Sequence, residues 1–231
     1  MLAACGGGGG SKSSDTTAAP ETTTTASSTT AAAGSDAAAT AKAQKLVLVQ
    51  SDFPAGWTGT PASPDTPEDK ADNQELANCA GLADESAQTA HVKGNDFSMG
   101  SPVTSVGSEA RILKDEASYR KDVAGIKGSK FQPCIEALLS KTITREAGSP
   151  PTNPQVTPIS VPTFGDVTVG LRVSAGITVQ GQSLQLVLDV VLMGKNHAEV
   201  TGTFSNLAQP FDQALEKTLI DKLGAKLNAS S

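Results

Sequence analysis

The sequence predicts an α+β domain, with an antiparallel sheet of about five or six strands and helices packed mainly on one face. Three observations lead there. Residues 167–179 alternate apolar and polar side chains, and 182–193 carry Leu184, Leu186, Leu188, Val190 and Leu192 at every second position, the period-two pattern of paired strands with a buried face. Phe211, Leu215, Leu219, Leu223 and Leu227 recur every four residues, with Ala214 and Ile220 widening the stripe, which marks an amphipathic C-terminal helix. Strand-like and helix-like stretches do not alternate strictly, which favours an antiparallel over a parallel sheet.

Composition sets the outer limits. The chain has 231 residues. Up to about residue 40 it is nearly all Gly, Ala, Ser and Thr, leaving roughly 190 residues for one domain. Hydrophobic residues make up 38%, much of it alanine, and aromatics only 3%, so the core must be aliphatic. A net charge of -6 argues against nucleic acid, whose phosphates call for a basic face. No apolar run approaches the ~18 residues of a spanning helix. With two His and three Cys, neither a metal site of the His/Cys type nor a cofactor is expected.

From the N-terminus, Leu2-Ala3-Ala4-Cys5 resembles the lipobox of bacterial lipoproteins, in which the cysteine thiol takes a diacylglycerol. The charged and apolar regions that precede such a box are read as trimmed away or lost to a late start. Residues 6–40 form a Gly/Ser/Thr/Ala tether, predicted to be disordered because glycine pays the most backbone entropy on ordering and the stretch has almost nothing to bury. The domain then spans 41–231. A short helix-like entry covers 41–50, Asp52 to Trp57 make a turn, and 58–72 read as irregular.

Leu76, Cys79 and Ala80 share one helix face, and Phe131, Cys134, Ile135, Leu138, Leu139 and Thr142 repeat that spacing. Both cysteines thus lie on apolar helix faces, where a disulfide could join two packed helices in an oxidising compartment; the alternative is two buried free thiols. Residues 90–99 and 103–114 read as strands, the second with Val106, Ala110 and Ile112 on one face. Lys114 to Gly125 reads as a helix, 155–163 as a short strand, and Gln209 to Leu227 as the last helix.

The C-terminal meander carries the sharpest expectations. A two-residue turn at Gln180-Gly181 pairs Val179 with Gln182, Leu171 with Val190, Val173 with Leu188, and Arg172 with Asp189. A second turn at Gly194, Lys195 and Asn196 then sets Leu188, Val190 and Leu192 against Gly202, Val200 and Ala198. The other face of the second strand holds Val187, Asp189, Val191 and Met193. It is either covered by a helix or forms the wall of an apolar groove. In the groove case Arg172, beside Asp189, would anchor an anionic ligand.

No nucleophile elbow and no phosphate-binding loop is present. His91 and His197 read as solvated, and Glu199 lies two residues from His197 without completing a triad.

The chain resembles actinobacterial cell-envelope lipoproteins whose single domain is similar to the extracytoplasmic sensor domain of transmembrane Ser/Thr kinases. That resemblance rests on Leu2-Ala3-Ala4-Cys5, on a helix followed by Phe53-Pro54-Ala55-Gly56-Trp57, on Cys79 with Cys134, and on Phe204 through Gln209-Pro210-Phe211-Asp212 leading into a helix. It covers about residues 41–228. Kinase sensor domains of this type tend to carry more than one disulfide, whereas one pair is available here. The resemblance implies an α+β domain with a cleft and no catalytic activity. The expectation is a binding or sensor module, lipid-anchored through Cys5 on the outer face of the cell membrane, with a small molecule, lipid or envelope protein as its ligand. The alternatives are a carrier for an apolar envelope molecule, using a cavity lined by Val187, Val191 and Met193, and a hydrolase that depends on His197.

Overall fold

The computed structural model describes residues 30–31, 36–100, 104–179, 181–207 and 209–230; Cys5 and most of the tether lie outside them. The elements are β1 (Thr30–Ala31), α1 (Ala37–Gln44), β2 (Thr58–Pro61), α2 (Pro67–Ala80), β3 (Gln88–Lys93), β4 (Asn95–Met99), β5 (Thr104–Leu113), α3 (Glu116–Ile126), α4 (Phe131–Ala147), β6 (Thr152–Ile159), β7 (Val167–Val179), β8 (Gln182–Lys195), β9 (Ala198–Leu207) and α5 (Gln213–Ala229). The architecture is α+β. The strands form one open sheet in the order β1-β3-β5-β9-β8-β7-β6, with β4 on β5 and β2 on β4, and every ladder is antiparallel.

Local chemistry sets the helix starts. Asp36 caps α1, accepting from the Ala38 amide at 2.7 Å, so this helix begins four residues before the composition changes at 41. Of the segment 41–50 expected to be helical, 41–44 belong to α1, while Leu46, Val47 and Leu48 enter the core as non-helical chain. Nor is 58–72 irregular: β2 and the start of α2 lie there. Thr66 and Asp69 form a reciprocal capping box ahead of a proline in the first turn. Asp115 and Asp212 cap α3 and α5 by accepting the amides of Ser118 and Leu215.

The stretch 90–99 is two strands rather than one. Lys93 lies opposite Glu109 and Phe97 opposite Val106. Four steps on one side therefore match three on the other, and the extra residue is a bulge around Gly94. It turns Phe97 into the core while leaving Asp96 toward the opposite face.

The β7–β8 pairing matches the expected register throughout, including Arg172 opposite Asp189 and Val173 opposite Leu188; Gln180 of the turn lies outside the described residues. The β8–β9 register does not match. Leu188, Val190 and Leu192 face Ser205, Thr203 and Thr201, three residues from the expected partners. The turn is Asn196-His197, both with positive φ (47° and 67°), as a two-residue hairpin of matching twist requires. Gly194 stays in the strand, paired with Glu199, and is glycine because a Cβ there would lie 2.8 Å from Val167 Cγ1 and 3.3 Å from the Tyr119 ring.

Helices cover both faces, not mainly one. On the first, α1 and α5 pack over Ala90, Val92, Val106, Val191, Met193, Val200 and Phe204, with Leu219, Leu223 and Leu227 supplied by α5. On the second, α2 and α4 pack over Leu171, Val173 and Val156. The odd slip in the β8–β9 register is what sends Ala198, Val200 and Phe204 of β9 to the first face, beside Val191 and Met193.

Candidate functional site

The second face is where a groove opens. Its roof is the α2–α4 pair, joined by the Cys79–Cys134 disulfide (Cα–Cα 5.9 Å). Asp72 of α2 reinforces the join, accepting from Arg145 at 2.7 Å and Lys141 at 2.9 Å on α4. Those contacts, Lys141 first, hold the Asp72 carboxyl below its ordinary range. The α2 helix needs this help, since its inward face offers only Leu76, Ala77 and Ala80.

Between that roof and the sheet lies a cavity of about 240 Å³. Leu76, Leu138, Leu139 and Leu192 make its apolar wall, and His91, Glu109, Arg111 and Glu199 make a charged end. Ligand pockets combine these two ingredients, a mostly apolar lining with a few placed polar groups.

The charged end is a network. Arg111 on β5 donates from Nε to Glu199 Oε2 at 2.5 Å and from Nη2 to Asp122 Oδ2 at 2.6 Å. Asp122, on α3, is fully buried and also accepts the Ala83 amide. One cation thus stands between two buried carboxyls. Glu199 is 4% exposed, and its Oε1 has no hydrogen-bond partner among the described residues. Burial pushes its carboxyl up to about 7; Arg111 opposes the rise, and the nearby Asp122 adds to it. His91 Nε2 lies 3.2 Å from Glu109 and Nδ1 3.7 Å from Asp65. The bond to Glu109 raises the His91 pKa against the opposing effect of burial.

The residues singled out in the sequence lie elsewhere. Val187, Val191 and Met193 are 7%, 0% and 1% exposed. Val191 and Met193 pack in the core with α5, which places them under a helix rather than on a groove wall. Arg172 grips Asp189 through two bonds, at 2.7 and 2.5 Å, and Asp189 is fully buried. Glu216 of α5 brings a second buried carboxyl to the pair, raised to about 7 by burial first and by Asp189 next. A more open hollow of about 550 Å³ adjoins Arg172 and Glu216. With two carboxyls around one guanidinium, Arg172 is balanced already and makes a poor anchor for an anion. His197 bonds Glu116 at 2.9 Å, not Glu199.

Sequence reasoning missed Arg111, Glu109 and Asp122. The available signal was polar alternation in β5, with Glu109 and Arg111 set between Ala110 and Ile112. Among the described residues no group of three or more His, Cys, Asp or Glu could hold a metal ion, and no helix is long and apolar enough to cross a membrane.

These carboxyls make stability depend on pH in a definite direction. A buried acid with a raised folded pKa contributes stability that is complete below its unfolded value, near 4.5, and is lost as pH rises through the folded value. Glu199 and Glu216, both raised to about 7, act in this sense. So does His91, whose raised pKa gives a contribution present below 6.5 and lost above it. The lowered carboxyls of Asp69 and Asp72 work the other way, but only below about pH 4. Urea midpoints are therefore expected to peak in mildly acidic solution and to fall between about pH 5 and 8. A midpoint that climbs over that interval contradicts the assignment.

No family model matches the chain, and no curated protein does. Among solved structures it is similar to one described as the crystal structure of LpqN involved in cell envelope biogenesis of Mycobacterium tuberculosis, with 10% identity, a TM-score of 0.28, and coverage of 89% of this chain and 84% of that one. A likeness of that degree carries no conclusion about fold or activity.

Proposed function

We propose that this protein is a non-catalytic binding module, tethered through a lipid on Cys5 to the outer face of the cell membrane, and that the groove under α2 and α4 holds the apolar part of a small ligand. The observation that carries this reading is the groove itself: leucines from two helices and a strand line about 240 Å³ at the margin of the core under α2 and α4, where they stay only partly buried. Two features support the location. Leu2-Ala3-Ala4-Cys5 has the residues of a lipidation site, and the Cys79–Cys134 bond suits an oxidising compartment. The carboxyls nearest the groove are engaged by Arg111 and His91, which suits a positioning rather than a catalytic role.

The test uses protein purified from the envelope of its native host. Intact mass is expected to show a diacylglycerol on Cys5, and organic extraction to release about one apolar ligand per chain. Leu139→Glu, at a half-buried wall position, is expected to abolish the co-purified ligand while keeping the fold. An unmodified Cys5 would remove the anchor, and an empty wild-type protein would remove the groove.

A further inference from the structure

Next to the apolar groove, on the same face of the sheet, is a second hollow of about 290 Å³. Glu109 and Thr201 line both, so the two are compartments of one depression. Their linings differ in kind. The second is walled by Ser63, Lys93, Asp96, Thr201 and Thr203, with Gly94 and Gly107 between them, and its lining includes no large apolar side chain.

Gly107 shapes the floor. A Cβ there would lie 2.8 Å from Thr203 Oγ1 and 3.4 Å from Asp96 Oδ1. The missing side chain thus lets a hydroxyl and a carboxylate close in on the backbone at the floor of the hollow. The nearby cation is already engaged, since Lys93 is paired with Asp65, and His91 lies between Asp65 and Glu109. Asp96 makes no ion pair among the described residues.

An anionic head would meet the Asp96 carboxylate, while the cations at hand are spoken for, Lys93 by Asp65 and His91 by Glu109. A head rich in hydroxyls fits better, because each hydroxyl both donates and accepts and can satisfy carboxylate, threonine and backbone groups together. We propose that the second compartment takes the polyhydroxylated head, a sugar or polyol, of an amphiphile whose apolar chain lies in the groove. This rests on the groove reading above and names the chemistry of its ligand.

Calorimetric titration with three probes of equal chain length tests it: octanol, octyl glucoside below its micelle concentration, and octyltrimethylammonium. Octyl glucoside is expected to bind about tenfold tighter than octanol, a difference of about 1.4 kcal/mol, and tighter than the ammonium. The double variant Asp96→Ala with Thr203→Val is expected to bring octyl glucoside to the octanol level and to leave octanol unchanged. If octanol binds but the glucoside gains nothing, or the ammonium binds tightest, the head assignment fails and the groove reading stands. If the double variant does not weaken the glucoside, the assignment fails equally. Failure of all three probes to bind overturns the groove and this inference together.

Discussion

Replacing Cys79 and Cys134 together by alanine is expected to cost about 4 kcal/mol of stability and to lower the melting temperature by about 10 °C. The two residues are 55 apart in sequence. Cross-linking removes the closure entropy of that loop from the unfolded chain, about 4 kcal/mol in the chain-entropy model. A local effect adds to the global one. The α2 helix presents a narrow inward face of Leu76, Ala77 and Ala80 and is held to α4 largely by the disulfide and by Asp72. Without the bond, amide exchange over 67–80 is expected to accelerate more than elsewhere, and the groove to lose its roof. Chemical denaturation and hydrogen exchange read both. A loss under about 1 kcal/mol, with α2 still protected, would mean that α2 docks through its side chains alone.

Substituting Arg111→Met is expected to destabilise the fold by about 3–5 kcal/mol, because it strands two buried carboxyls. Asp122 is fully buried and Glu199 nearly so, and both are bonded to this one guanidinium. The penalty belongs to the uncompensated negative charge, so it is expected to be largest above pH 7 and to shrink in acid as Glu199 takes up a proton. Adding Glu199→Gln should recover part of the loss. Urea unfolding at pH 8 and pH 5.5 measures this, and an equal or greater loss in acid would contradict it.

The contrast between the two hairpins shows where a sequence is legible. The β7–β8 register followed from strict alternation in β7, the run of every-second leucines and Val190 in β8, and a glycine at the turn, all within neighbouring residues. At the β8–β9 turn the glycine misled. Gly194 is small because Val167 and Tyr119 press on it, while a histidine takes the positive φ that a glycine would have taken more easily. That reason is a tertiary contact, invisible in a local pattern. The start of α2 was there to be found, since Thr66-Pro67-Glu68-Asp69 carries a capping box and a helix-initiating proline. The charged end of the groove was not. Arg111 meets Glu199 across 88 residues, and the pairing needs the order of strands in the whole sheet. The same holds for the cover over Val191 and Met193: their apolar character and shared face were plain, but that α5 packs on them is a contact between distant parts of the chain.

The most direct test of the central claim is a methyl NMR titration of the folded protein with octyl glucoside. The leucines of the groove wall, Leu76, Leu138, Leu139 and Leu192, are expected to shift together and to saturate, while Val191 and Leu223 on the opposite face stay still. Shifts centred on Val191 and Leu223, or no saturable shift at the four leucines, would contradict the account.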